Sequence, residues 1–204
     1  ARLMAEMEKR KIQYNFIFSG QHKETIDDLR ENFAIKKPDI TLYEGKDITS
    51  IGSMFLWIIK ILYKSLTGRS KIFGETDRND IVLVHGDTFS TLLGALMGKL
   101  AKLKVGHVES GLRSFNIFNP FPEEITRILT FKLADYYFCP GKWAMENLKK
   151  EKGIKIDIGE NTLMDALKAA RKSIDKMKVG IPNEKYCICT IHRFENIFKK
   201  EKLK

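Results

Sequence analysis

The sequence places acidic residues directly after two apolar segments, where a protein can hold catalytic carboxylates. The segment Val82–His85 is followed by Gly86 and Asp87, and the segment Val105–Val108 is followed by Glu109. Both segments have the composition of buried strands, and ligands of open parallel sheets bind beyond the carboxyl ends of the strands. If the two strands are neighbours, the two carboxylates share one cleft. Such an arrangement favours acid–base chemistry.

A third acidic position follows at Glu123 and Glu124, in a Pro-Phe-Pro-Glu-Glu motif. The motif is typical of a helix start, and acids in a first turn meet the positive end of the helix dipole. Arg127 lies one turn further along and can pair with either acid. Taken alone, this motif has a structural explanation as well as a functional one.

The two strand-end acids also have structural interpretations. Asp87 or Thr88 could cap the helix that follows, although a cap does not explain Gly86, which allows a close approach of backbone or ligand. Glu109 could form an ion pair with Arg113 that orders the loop. Alternatively, Glu109 could act as a base whose ionisation Arg113 tunes.

Two histidines lie in polar clusters at predicted strand ends, where they could meet a ligand. His192 and Arg193 end the last predicted strand, and such a pair could neutralise a phosphate or assist a leaving group. Gln21 and His22 form a similar cluster early in the chain. A lone histidine is more often structural, so neither cluster identifies a catalytic group by itself. The histidine spacing is not that of a helical zinc site, and no metal is predicted.

Short apolar segments alternate with helical segments along the chain, as in βαβ units around a parallel sheet. The predicted strands are 14–18, 39–43, 81–84, 105–108, 136–139, 155–158 and 186–191. The predicted helices are 1–10, 23–32, 51–65, 88–101, 122–134, 142–151 and 161–177. We therefore expect an α/β fold with a Rossmann-like parallel sheet flanked by helices. The expected organisation is an N-terminal domain that lacks its first strand (1–159), a connection (160–183) and the start of a second domain (184–204).

Composition and charge argue against several classes of protein. The 204 residues carry a net charge of +10 and are 43% hydrophobic, but the lysines are spread without interleaved aromatics, so no nucleic acid partner is expected. The apolar segment 51–63 is too short to span a bilayer. It predicts a buried helix, or one that packs across the two-fold axis of a homodimer. No signal peptide is recognisable. We interpret the three cysteines as buried thiols of the core, which stay reduced in the cytosol. We therefore expect a cytoplasmic location.

Taken together, these residues resemble the non-hydrolysing UDP-N-acetylglucosamine 2-epimerases. The similarity extends over nearly the whole chain and is densest between residues 80 and 196. The motifs that carry it are Gly20–His22, Val84–Thr88, Gly106–Arg113, Pro120–Glu124 with Arg127, Asn161–Leu167 and His192–Asn196. Six motifs in the same order argue against chance similarity.

The resemblance implies two Rossmann-like domains, as in the two-domain nucleotide-sugar glycosyltransferases, with most of the second domain outside this sequence. It also implies interconversion of UDP-GlcNAc and UDP-ManNAc through elimination of UDP to a 2-acetamidoglucal and its re-addition, with no cofactor. The residues that match catalytic positions are Asp87, Glu109, Glu123 and His192. Those that match substrate contacts are His22, Arg113, Arg127 and Arg193. Those that match an allosteric site for a second UDP-GlcNAc are Gln21 and Glu124.

The chain departs from the family pattern at Ser110, at Phe194 and at the turn around Gly159. The chain has Gly-Asp-Thr at Gly86–Thr88 and not the Gly-Asp-Arg of hydrolysing relatives. Three alternatives stay open: a hydrolysing epimerase, an epimerase for a related UDP-2-acetamido sugar, and a nucleotide-sugar binding protein without turnover.

Overall fold

The computed structural model describes residues 2–20, 30, 33, 35–45, 51–77, 79–174 and 184–187. The chain divides into two compact units, Ala1–Leu167 and Lys168–Lys204. The sheets and the candidate site lie in the first unit. In the second unit, the described residues are the end of one helix and the segment 184–187, which has neither helix nor strand. The predicted domain boundaries stay predictions.

The main sheet has four parallel strands in sequential order. A separate pair of short parallel strands, β1 (Ile17–Phe18) and β2 (Ile40–Thr41), precedes it. The four strands are β3 (Ile81–His85), β4 (Lys104–Val108), β5 (Tyr136–Cys139) and β6 (Ile154–Asp157). The helices are α1 (Arg2–Lys9), α2 (Ile51–Thr67), α3 (Arg69–Phe73), α4 (Phe89–Leu100), α5 (Glu123–Leu133), α6 (Lys142–Asn147) and α7 (Thr162–Ile174). This architecture confirms the predicted parallel α/β fold.

The core forms two apolar clusters. In one, Trp57 and Ile61 of α2 pack with Leu93 and Met97 of α4. In the other, β4 and β5 pack with α5 and α6. Strand β4 is buried from its second residue to its last, as expected for a parallel strand covered on both faces. Strands β3 and β4 pair in parallel, with His85 opposite Val108, so their carboxyl ends lie side by side.

Several predicted elements differ from the structure in extent. The strands predicted at 14–18 and 39–43 shorten to two residues each, because the Phe16 amide donates to the Asp39 carboxylate at 2.6 Å and not to a strand neighbour. The helix predicted at 142–151 ends at Asn147, where tight turns with i−3 hydrogen bonds follow, such as that from Glu151 to Leu148. Helix α3 was not predicted.

Other predicted elements fall largely outside the described residues. Most of the helix predicted at 23–32 lies there, as do residues 188–191 of the last predicted strand. Tyr186 and Cys187 are described but form no strand, and Cys187 is exposed, so its assignment as a core thiol is wrong. Cys139 is a buried free thiol in β5. Among the helices that the structure describes, none has the length and apolarity needed to cross a membrane.

Candidate active site

The carboxyl ends of β3 and β4 bring Asp87 and Glu109 to the same edge of the sheet. The Gly86 amide donates to the Val108 carbonyl at 3.1 Å, so the chain leaves β3 while still bonded to β4. Gly86 has a φ of +77°, a conformation that side chains disfavour. A Cβ built on Gly86 would lie 4.0 Å from Oε2 of Glu109. The Glu109 carboxylate therefore lies beside the backbone that leads into Asp87.

His107 holds this strand end together from inside the core. Its Nε2 donates to the Gly86 carbonyl at 2.7 Å, and its Nδ1 lies 3.0 Å from the Ser110 hydroxyl. Because a carbonyl only accepts, the proton lies on Nε2, and Nδ1 accepts from Ser110. Burial lowers the pKa of His107 from 6.5 to about 4, although the hydrogen bond to Gly86 opposes this effect. The ring is therefore neutral at physiological pH and serves as a structural bridge.

The buried hydroxyl of Thr126 links the backbone at Glu123 to the backbone at Asp87. This hydroxyl contacts the backbone carbonyls of both Asp87 and Glu123, the latter at 2.8 Å. Two carbonyls that share one hydroxyl are necessarily neighbours, so the start of α5 lies against the end of β3. Oε2 of Glu123 is buried and, among the described residues, has no hydrogen-bond partner. A buried carboxylate oxygen without a partner is costly unless a ligand or a proton meets it.

Two arginines connect the remaining acids into one network. Arg127 forms ion pairs with the carboxylate of Asp87 and, at 3.3 Å, with that of Glu124. Arg113 pairs with Glu124 at 2.5 Å, and the Ser114 amide donates to the same carboxylate at 3.1 Å. Glu124 is completely buried. Burial by itself would raise the pKa of Glu124, but the hydrogen bonds from Arg113 and Ser114 outweigh it and leave the pKa below its usual value.

Glu109 is held by the segment that begins α7. The Asn161 amide donates to Oε1 of Glu109 at 2.7 Å. Oε2 lies 3.7 Å from Nε2 of His85, and that nitrogen lies 2.9 Å from the Thr162 hydroxyl. Desolvation lowers the pKa of the His85 imidazole below its usual value, although the negative charge of Glu109 opposes this effect. Within the described part of the chain, Glu109 has no ion pair with a lysine or arginine.

The structure decides between some of the alternatives. Thr88, and not Asp87, caps α4, since its hydroxyl accepts from the Thr91 amide. The Glu109–Arg113 ion pair is wrong, because Arg113 pairs with Glu124. The chain segments that carry Asp87, Glu109 and Glu123 meet at one edge of the sheet, and Arg113, Arg127 and Glu124 lie in the adjoining network. The four remaining candidates lie outside the described residues: Gln21, His22, His192 and Arg193.

Three site residues were not singled out from the sequence: His107, Thr126 and Asn161. His107 lies in β4, two positions before Glu109, and this spacing does not reveal a hydrogen bond to Gly86. Thr126 and Asn161 lie 39 and 52 residues from their partners. Asn161 had one usable signal, since an asparagine directly before a helix is a common cap.

Comparison with known proteins identifies relatives along almost the entire chain. The family model described as UDP-N-acetylglucosamine 2-epimerase matches residues 5–204. The UDP-N-acetylglucosamine 2-epimerase of Methanocaldococcus jannaschii is 34% identical to this chain. The alignment, 216 positions long with its gaps, covers 99% of this chain and 55% of that protein.

Solved structures give the same result. The UDP-GlcNAc 2-epimerase of Neisseria meningitidis, crystallised with UDP-GlcNAc, aligns with a TM-score of 0.72 and 32% identity over 85% of this chain and 45% of that chain. The Methanocaldococcus jannaschii enzyme in complex with UDP-GlcNAc and UDP aligns with a TM-score of 0.71 and 30% identity over 86% and 46%. This chain thus spans about half the length of the relatives that it matches.

Proposed function

The chain belongs to the UDP-N-acetylglucosamine 2-epimerase family, and from this premise we propose that the protein interconverts UDP-GlcNAc and UDP-ManNAc without hydrolysing them. The proposed route eliminates UDP and then adds it back. The observation that supports the proposal is that the chain segments carrying Asp87, Glu109 and Glu123 meet at one edge of the parallel sheet.

The chemistry explains why several carboxylates are needed. The C2 proton of the sugar has no adjacent carbonyl that would acidify it. In the proposed step, a carboxylate removes this proton while the bond between C1 and the diphosphate oxygen breaks, which leaves a C1–C2 double bond and free UDP. In the reverse step, a proton is delivered to the opposite face of C2 and the UDP oxygen bonds to C1 again. The cycle consumes no oxidant, reductant or water.

The environments of the three carboxylates support a division of roles. Asp87 is paired with Arg127, and its carboxylate is suited to stabilise positive charge that develops on the sugar ring. Glu109 and Glu123 each have an oxygen without a charged partner among the described residues. We assign to these two the removal and delivery of the C2 proton.

The remaining assignments concern the ligand. Arg113 and Arg127 are partly engaged by carboxylates, but a guanidinium has five donors and can also contact a diphosphate. Because Glu124 is buried under these arginines, a regulatory ligand would act on it through them. The proposed roles of His22, His192 and Arg193 in substrate binding and of Gln21 in regulation rest on the family motifs.

We further propose that the protein is a homodimer in the cytoplasm. Helix α2 buries one face in the core, whereas Phe55, Leu56, Ile59, Tyr63 and Leu66 are each between 47% and 67% exposed. Exposed apolar side chains in such a contiguous set are typical of a subunit interface. Light scattering should give twice the monomer mass for the wild type, and Y63K should reduce it. A monomeric wild type would contradict the proposal.

The test of activity uses the natural polypeptide that contains this sequence, incubated with UDP-GlcNAc in deuterium oxide. We expect UDP-ManNAc and deuterium at C2, and strongly reduced but measurable rates of both in D87N and E109Q. The E146Q variant, which changes an exposed carboxylate that pairs with Lys149 on the surface, is the control with wild-type activity. Absence of both exchange and epimer in the wild type would refute the proposal.

Two other results would favour the alternatives. Free ManNAc that accumulates in step with UDP would identify a hydrolysing enzyme. A ligand-induced rise in melting temperature without turnover, unchanged in D87N and E109Q, would identify a binding protein.

A further inference from the structure

We infer that Asn161 is a positioning residue for Glu109: it anchors one carboxylate oxygen so that the other is presented to the sugar. The inference rests on the proposed function and extends it to a residue that does not itself touch the substrate. The alternative is that Asn161 only caps α7.

The orientation of the Asn161 amide follows from its two hydrogen bonds. Its Oδ1 accepts from the Leu163 amide at 2.8 Å, and its Nδ2 donates to Oε1 of Glu109 at 2.7 Å. An inverted amide would place its NH₂ against a backbone N–H and its oxygen against a carboxylate, which are two repulsive contacts. The helix start therefore fixes which end of the amide meets Glu109.

Glu109 needs such an anchor more than most glutamates do. Its φ is +66°, in the left-handed region that glutamate rarely occupies. The Glu109 side chain is 23% exposed, and its carboxylate accepts a hydrogen bond from the neutral side-chain amide of Asn161. With Oε1 bonded to Asn161, Oε2 lies 3.7 Å from His85, beyond hydrogen-bonding distance, on the side of the backbone that leads into Asp87.

The substitution N161S separates positioning from capping. Serine is a good N-cap, so α7 keeps its cap, but its hydroxyl is too short to reach Glu109. Loss of a hydrogen bond to a charged group predicts a fall in kcat of about ten- to a hundredfold. We expect KM to change by less than about threefold, since ground-state binding is untouched. N161D also keeps the cap but opposes a carboxylate to Glu109, and should lose more activity than N161S.

Asn116 provides a matched control. Its Oδ1 accepts from the Phe118 amide at 3.1 Å, the same local bond that Asn161 makes, but it lies in an exposed turn. N116S should keep wild-type kcat. Activities are divided by the folded fraction from circular dichroism, so a loss of folded protein in N161S is not counted as a loss of catalysis.

The deciding measurement is a double-mutant cycle on C2 deuterium exchange. If Asn161 acts only through Glu109, N161S should cause no further loss in an E109Q background. Wild-type kcat in N161S, or losses from N161S and E109Q that add fully, would overturn the inference while the proposed function stands. An inactive wild type would instead refute the proposed function and remove this inference with it.

Discussion

Lowering the pH should weaken the fold through His107, because its neutral ring is part of the buried hydrogen-bond network. The ring is fully buried, and its pKa falls from 6.5 in an unfolded chain to about 4 in the folded protein. Between these two values the unfolded chain binds a proton that the folded protein does not. Stability therefore falls as the pH drops from 6.5 to 4, with a total loss of about 3 kcal/mol from this residue. Below pH 4 both states are protonated, and this contribution levels off.

The prediction is checked in two ways. Selective ¹³C labelling at Cε1 of histidine allows each ring to be titrated by NMR, and the His107 signal should stay unshifted down to about pH 5. Urea unfolding between pH 7.5 and 4.5 should show a shallower decline of the unfolding free energy in H107Q than in the wild type, because glutamine keeps the donor to Gly86 but does not titrate. Equal declines in the two proteins, or a His107 pKa near 6, would refute the reasoning.

Three further predictions concern the same sheet edge. G86A should lower the free energy of unfolding by about 1–2 kcal/mol, because Gly86 has a left-handed backbone. The control G52A, in an open helical position, should raise the melting temperature. Equal effects of the two substitutions would contradict this reasoning. E124Q should cost about 3 kcal/mol in chemical unfolding, since two arginines lose their buried counter-charge, and the exposed E146Q should have no measurable effect. T126V should lower the free energy of unfolding by about 1 kcal/mol and should also lower kcat. T126S keeps the hydroxyl and should have the stability and kcat of the wild type. Wild-type kcat in T126V would show that this hydroxyl is not needed to position the acids.

The sheet could be predicted from the sequence because burial leaves a strong local signal. Strands covered on both faces consist of consecutive apolar residues, and β3 to β6 were predicted within one residue at each end. Strands β1 and β2 gave a similar apolar signal but pair over only two residues. There the Phe16 amide donates to the Asp39 side chain and not to the backbone of a neighbouring strand. Hydrophobic periodicity does not reveal such a hydrogen bond.

The position of the acids at the sheet edge could be predicted from the sequence, but the residues that pair with them could not. Acids directly after buried strands stand out in any α/β sequence, because few other positions put a charge beside a core. The pairing of Arg113 depends instead on how the loop to α5 folds back. Sequence spacing favoured Glu109, four residues away, but the structure gives Glu124, eleven residues away. The contact between Asn161 and Glu109 depends in the same way on the tertiary fold.

The charges of the network bear on how the proposed substrate, a nucleotide sugar, would bind at this sheet edge. The two arginines are matched by two carboxylates, those of Asp87 and Glu124. The carboxyl groups of Glu109 and Glu123 are therefore in excess of the described lysines and arginines that form ion pairs in this network. Excess negative charge suits a sugar ring that becomes positive as its diphosphate leaves, but it repels the diphosphate itself. We therefore expect most of the positive charge that binds the diphosphate to come from residues outside the described part of the chain.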